Sequence, residues 1–224
     1  MINKRINKLR SQFSEYGIDG YVIPKNDEFF SEYSNKDRLK FISNFTGSAG
    51  YAIILKDRNY LFVDGRYTIQ SRIESGKHFI ILDYLKIINT SIFKNLNLGI
   101  DPTLFTSKQI NNFFLKNNKI KYINKNLVDE IKKQRENLNI PFFSLNKNIV
   151  GESTGSKINK ISRYLKKNKS DFIFISAPEN VAWILNIRGY DSAFSPIPNA
   201  RLLISNKGDI DLFAQLKKVK KIQK

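Results

Sequence analysis

No cysteine occurs among the 224 residues. Disulfides, thiolate metal sites and a cysteine nucleophile are therefore excluded. Histidine is almost as scarce: His78 stands alone, too little for a catalytic triad or a typical histidine-containing metal site. No cluster of Asp and Glu takes its place. Asp27, Glu28 and Glu32 lie close together, but "PKNDEFFSEY" reads as loop. No metal-ligating residue is assigned. Long apolar runs are missing too. "AIIL" and "FIIL" fall far short of the roughly 20 residues that span a bilayer, so no membrane segment is expected. The opening "MINKRINKLRSQF" lacks the apolar core of a secretory signal and reads as a helix. A cytoplasmic protein is expected.

Positive charge, by contrast, is abundant. Lys and Arg number 38 against 20 Asp and Glu, for a formal net charge of +18. Such a balance suits a polyanion such as nucleic acid. The lysines, however, are scattered along a chain rich in Asn and Ile, as AT-rich coding would give, and gather only in "LKKVKKIQK". A nucleic-acid footprint would form a patch or stripe, and the aromatics sit inside apolar runs rather than on a stacking platform. Nucleic-acid binding is thus the lesser alternative. The 41% hydrophobic content is ample for a packed core.

Periodicity supplies the elements. Ile2, Ile6, Leu9, Phe13 and Tyr16 keep one helical face, and Gly17 stops it. "GYVIP" reads as a buried strand. "SNKDRLKFIS" reads as a helix capped by Asn or Ser, with Leu39 and Ile42 inward. "YAIIL" and "YLFV" form a hairpin across "KDRN". "RYTIQSRIESG" is a helix ending at Gly76, and "HFIIL" and "LGID" are strands. "SKQINNFFLKN" is a helix with Ile110, Phe113 and Phe114 inward, and "KIKYI" is a further strand. Helices recurring between strands predict an α/β domain around a mixed sheet, assigned to residues 1–145.

Residues 146–224 repeat the start of that domain. "INKLRSQFSEYGIDGYVIP" from Ile6 aligns without a gap on "INKISRYLKKNKSDFIFIS" from Ile158, and "RLLISNKGDIDLFA" mirrors the first hairpin. The first copy continues past its hairpin with more strands and a helix, whereas the second has only "AQLKKVKKIQK" beyond it. A second domain of the same kind, truncated and with an open sheet edge, is the expectation.

Two short stretches invite a functional reading. Gly47-Ser48-Ala49-Gly50 looks like a phosphate loop, but a helix precedes it, a strand follows, and no Lys comes after the second glycine, so the P-loop order fails. A tight turn with close backbone contact is expected. In Asp64-Gly65-Arg66, Asp64 suits a helix N-cap. Arg66 then faces the positive end of the helix, which disfavours a cation. Either it pairs with Asp64 or meets water, or its planar fork reaches a carboxylate or carbonyl oxygen of a ligand. Arg188 in "NIRGYD" ends a helix before Gly189, where a cation is favourable without any function. Trp183 is expected in the core.

Taken together, "FTGSAGYAIIL", "LFVDGRYTIQ", "NLVDEI" and "SAPENVAWILNIRGYD" resemble the N-terminal domains of Xaa-Pro aminopeptidases of the aminopeptidase P type, in the creatinase/prolidase superfamily. The resemblance runs along essentially the whole chain. It implies two related creatinase-like α/β domains, with mixed sheets flanked by helices, ahead of a "pita-bread" metallopeptidase domain. That domain binds two divalent metals, usually manganese, through Asp, His and Glu, and removes an N-terminal residue that precedes proline; such proteins are commonly dimers. The resemblance also implies that Arg66 helps bind the peptide; Arg188 is kept as a lesser candidate, and Gly47, Gly50, Asp64 and Gly65 are read as structural. Two departures stand out. Many relatives have Asp-Xaa-His-Gln-Ser-Glu-Tyr where Asp27 to Tyr33 read Asp-Glu-Phe-Phe-Ser-Glu-Tyr, and Ile-Trp where Ile131 and Lys132 stand. The expectation is therefore an N-terminal portion, inactive alone and with no cofactor of its own. It would contribute to the substrate entrance and to contacts with a second copy or a missing catalytic half. The alternative is a free-standing binding or assembly module, or half of a split enzyme.

Overall fold

The computed structural model describes residues 1–31, 36–86, 93–115, 117–132, 140–192 and 194–219. They divide into two compact units at position 135/136.

In the first unit the elements are α1 (Ile2–Arg10), α2 (Phe13–Tyr16), β1 (Gly20–Pro24), α3 (Arg38–Ser43), β2 (Gly50–Leu55) and β3 (Asn59–Val63). They continue with α4 (Thr68–Ser75), β4 (Ile80–Asp83), β5 (Asn97–Ile100), α5 (Ser107–Gln109), β6 (Lys119–Tyr122) and α6 (Leu127–Lys132). The strands form one mixed sheet in the order β4-β3-β2-β1-β5-β6. β2 is antiparallel to both its neighbours, and all other pairings are parallel. Every strand but β2 therefore ends on the same edge of the sheet.

Alternate residues of each strand face opposite sides. Tyr21, Ile23, Ala52, Ile54, Leu61 and Val63 pack against Ile6, Leu9, Phe13, Leu39, Ile42, Leu127 and Val128. Val22, Tyr51, Ile53, Tyr60 and Phe62 pack on the other side with Phe93, Leu104, Phe105 and Ile110. With both faces covered, β2 is buried throughout, which is why "YAIIL" reads as an unbroken apolar run.

Local details differ from the sequence reading. The first helix keeps its apolar stripe but breaks between Arg10 and Phe13, where the Ser11 hydroxyl and the Gln12 amide both donate to the Lys8 carbonyl. Gly17 ends it in the left-handed region, φ 56°. The cap of α3 is Asp37, not Asn or Ser. Its Oδ1 accepts from the Lys40 N–H at 2.9 Å, and its Oδ2 from Lys25 Nζ at 2.5 Å. Ser34 and Asn35 lie outside the described residues. α5 carries a capping box between Thr106 and Gln109, then widens into π-helical turns over Ile110–Leu115. Ile110 is buried, and the side chains of Phe113 and Phe114 lie outside the described set.

The second unit contains β7 (Phe143–Ser144), α7 (Thr154–Lys167), β8 (Phe172–Ile175), α8 (Pro178–Leu185), β9 (Ile187–Arg188), β10 (Arg201–Ser205), β11 (Ile210–Phe213) and α9 (Leu216–Val219). Phe142 is fully buried in its core with Ile158, Val181, Ile184, Leu202 and Ile204, so this unit begins before the 145/146 limit read from the sequence. The order β11-β10-β8, antiparallel throughout, reproduces β3-β2-β1. The repeat extends to side chains. In the first unit Arg5 donates to the Phe41 carbonyl and to Asn44 Oδ1, with its guanidinium 4.5 Å from the Phe41 ring centroid. In the second, Lys157 donates to the Trp183 carbonyl and to Asn186 Oδ1, with its ammonium 4.1 Å from the Trp183 ring. Asn44 and Asn186 both end their helices in the left-handed region. Trp183 itself is not a core residue: its side chain is 58% exposed, because buried Lys157 occupies the position beneath the indole.

Candidate functional site

The candidate site is built at the edge of the first sheet where β1, β3 and β4 end. Gly47 and Gly50 are there for steric reasons. A Cβ on Gly47 would lie 2.3 Å from the Phe45 ring and 2.9 Å from Tyr67, and one on Gly50 would lie 2.7 Å from the Phe62 carbonyl oxygen. The stretch is a turn delivering the chain from α3 into β2, as its order of elements predicts, and not a phosphate cradle. Gly50→Ala should cost about 1–3 kcal/mol, because backbone cannot yield. Gly65→Ala should stay within about 0.5 kcal/mol, since an added Cβ there meets nothing within 4 Å. Urea denaturation of both variants checks the contrast; equal losses would contradict it.

Asp64 follows β3 with extended φ −62° and ψ 148° and caps a 3-10 turn over Gly65–Tyr67. Its Oδ1 accepts from the Arg66 N–H at 3.0 Å and from Arg66 Nε at 2.8 Å. Those bonds hold the Asp64 carboxyl below its ordinary value. The pairing reading of Arg66 is therefore realised, yet the side chain stays 68% exposed, and its guanidinium lies 5.2 Å from the Tyr67 ring. The Tyr67 hydroxyl in turn meets the Ser48 hydroxyl at 2.9 Å, and its ring packs edge-on against Phe45. Glu74 accepts from the Thr46 N–H and hydroxyl. Phe-Thr-Gly-Ser-Ala-Gly and Asp-Gly-Arg-Tyr thus form one corner.

Beside that corner lies a cleft of about 210 Å³ lined by Lys25, Asn26, Ser48, Ala49, Gly50, Tyr51, Asp64 and Tyr84. Lys25 follows β1, Asp64 follows β3 and Tyr84 follows β4, so the cleft sits outside the carboxyl ends of the strands, where open α/β sheets bind ligands. Tyr84 donates to the Tyr51 hydroxyl at 3.5 Å, and Gln109 donates to it at 3.2 Å. Burial pushes the Tyr51 phenol well above its ordinary value. Among these residues sequence reasoning took up Ser48, Ala49 and Gly50 as part of the glycine stretch and Asp64 as a cap. Position just beyond a strand end is the signal that would have found Lys25, Asn26 and Tyr84.

Arg188 belongs to the second unit, where it donates to the carbonyls of Ala182 and Ile187 at the end of α8. "PKNDEFFSEY" is an ordered loop over its described part: Asp27 Oδ1 accepts from the N–H groups of Phe29 and Ser31. Glu32 lies outside the described residues. Among the described residues no group of three or more His, Asp or Glu is placed to hold a metal ion, and no helix is long and apolar enough to cross a membrane.

Sheet order and internal repeat agree with one family. Residues 5–134 match the family model for the Creatinase/Prolidase N-terminal domain, and residues 132–224 match a second model of the same description. The chain belongs to the creatinase/prolidase N-terminal domain family, with two such domains in tandem. Its relatives are of the aminopeptidase P type. It is 33% identical over 212 residues to the probable Xaa-Pro aminopeptidase P of Laccaria bicolor, covering 87% of this chain and 33% of that protein. Against Xaa-Pro aminopeptidase 1 of Dictyostelium discoideum it is 31% identical over 219 residues, covering 88% and 35%. The crystal structure of an X-prolyl aminopeptidase from Caenorhabditis elegans, described as a cytosolic enzyme with a di-nuclear active site, matches 98% of this chain and 40% of that one, with TM-score 0.86 and 27% identity. The chain spans about a third of the length of the curated relatives it matches.

Proposed function

We propose that this chain forms the substrate-entrance part of a cytoplasmic Xaa-Pro aminopeptidase and, by itself, hydrolyses nothing. The observation that carries the reading is the Asp64-Gly65-Arg66 corner. Gly65 is demanded by no packing, and an exposed arginine stands where helix electrostatics disfavour a cation. Asp64 holds the guanidinium by Nε, and a planar fork is the group that suits a peptide carbonyl or carboxylate. The described residues offer no ligand set for two divalent ions. In this reading manganese is bound outside these residues, and the chain works in association with a second copy or with the catalytic part.

In the complete enzyme, Arg66→Ala should lower kcat/KM on a Xaa-Pro peptide by about 10- to 100-fold, the worth of a charged hydrogen bond. Arg66→Lys should recover only part, because the fork is lost. The chain supplied alone with manganese and the same peptide should release no amino acid. Metal-dependent release by the chain alone, or wild-type kcat/KM in Arg66→Ala, would refute the proposal.

A further inference from the structure

We infer that the cleft beside the Asp64 corner is a binding site for a free α-amino acid, held by both charges on its Cα. The duplicated unit is the internal control. Through the paired registers of the two sheets, Ile23 corresponds to Ile175, Ala52 to Leu202 and Leu61 to Leu212. At the positions of Lys25, Asn26, Ser48 and Asp64 the second unit then carries Ala177, Pro178, Pro198 and Gln215. The same helix–strand–helix–hairpin frame forms with Ala or Pro at three of the four positions and an uncharged amide at the fourth. What the frame does not need, the cleft of the first unit has gathered from two strand ends and a turn.

Their unused bonding capacity defines the ligand. Asp64 Oδ1 takes both bonds from Arg66, while no bond to Oδ2 exists among the described residues. Asn26 spends its Nδ2 on the carbonyls of Asp27 and Leu104, and its Oδ1 accepts nothing among the described residues. Two acceptors, one of them charged, suit an ammonium group. Lys25 Nζ is fixed by one bond to Asp37 and has two further N–H groups, which suit a carboxylate. Ser48, Tyr51 and Tyr84 also line the cleft, their hydroxyls already bonded to Tyr67 and to one another. A cleft of about 210 Å³ is well above the roughly 10–15 Å³ that a single water needs, so it has room for a small ligand. A free amino acid is also what an aminopeptidase releases, but the inference stands apart from the role proposed for Arg66 and needs no hydrolysis.

The test is an NMR titration of the full ¹⁵N-labelled chain with L-alanine and L-proline at millimolar concentrations. Saturable shifts are expected at Asn26, Ser48, Gly50, Asp64 and Tyr84. N-acetylation, which removes the ammonium, and amidation, which removes the carboxylate, should each weaken binding about tenfold or more. Alanyl-proline, whose charges lie on different residues, should bind more weakly than either amino acid. Asp64→Asn and Tyr84→Phe should lose affinity while the variants remain folded by circular dichroism. Absence of saturable shifts, shifts outside the cleft, equal binding of the blocked derivatives, or tighter binding of the dipeptide would each overturn the inference. None of these outcomes bears on the kinetics of Arg66 variants in the complete enzyme.

Discussion

Arg38→Met is expected to destabilise the first unit by about 3 kcal/mol, the lower end of the loss when one member of a buried ion pair is removed. The guanidinium is 2% exposed. Its Nε and Nη2 donate to the two oxygens of Asp129 at 2.9 and 2.6 Å, and Nη2 also reaches Glu28 Oε1 at 3.0 Å. One residue thereby ties the loop after β1 and the start of α3 to α6. Two features keep the loss at the lower end. Asp129 and Glu28 are partly exposed, so water can relieve their stranded charges. Arg38 Nη1 is buried without a partner among the described residues, a cost that the variant removes.

A pH signature separates this effect from lost packing. Burial alone would raise the Glu28 carboxyl from its ordinary 4.5, but the charge of Arg38 and the hydrogen bonds from Lys36 and Arg38 outweigh it and hold the group at about 2. A carboxyl depressed in the folded state contributes stability that is full above 4.5 and fades as pH falls toward 2. Wild-type stability should therefore drop across that window, and Arg38→Met should drop less. Urea midpoints from pH 7 downward measure both. A loss under about 1 kcal/mol at neutral pH, or an undiminished slope in the variant, would show that the network is not structural.

In the second unit the largest effect is expected from Asp191→Ala, about 3–5 kcal/mol. Asp191 and Lys218 are 7% and 6% exposed and form a direct ion pair through Oδ1 and Nζ. Asp191 Oδ2 also accepts from the Asn199 N–H at 2.7 Å, and the Lys218 carbonyl accepts from the N–H of core residue Phe142. The pair thus fastens α9 and the segment before β10 at once. Alanine strands a buried ammonium and frees the Asn199 N–H. Asp191→Asn, which keeps an acceptor for Asn199 but no charge, should recover part of the loss. Combining Asp191→Ala with Lys218→Met should be milder than Asp191→Ala alone, since no buried charge is left. If Asp191→Ala and Asp191→Asn lose equally, the charge pair dominates; if the double variant is the worst of the three, the argument fails.

Much of the frame was legible from local pattern. Ile6, Leu9 and Phe13 on one helical face, the hairpin around "KDRN" and the alignment of Ile6 with Ile158 gave the α/β class and the tandem repeat, because periodicity and turn chemistry are local. The corner was half legible: Asp64 reads as a cap from its own neighbours, but the bond between the Ser48 and Tyr67 hydroxyls does not. Trp183 was misjudged because "VAWIL" is apolar all along its length, and only Lys157, placed beneath the indole by a different helix, decides its exposure.

By itself the sequence determined the elements, their alternation, the duplication and the residue types excluded from chemistry, since each follows from backbone preference and side-chain period over a few neighbouring residues. The tertiary structure alone decided which charges meet: Arg38 with Asp129, Asp191 with Lys218, Lys25 and Asp64 around one cleft. These partners are distant in the chain, and an ion pair forms only where the sheet order, set by burial of both faces, brings strand ends and helix ends into the same few ångströms.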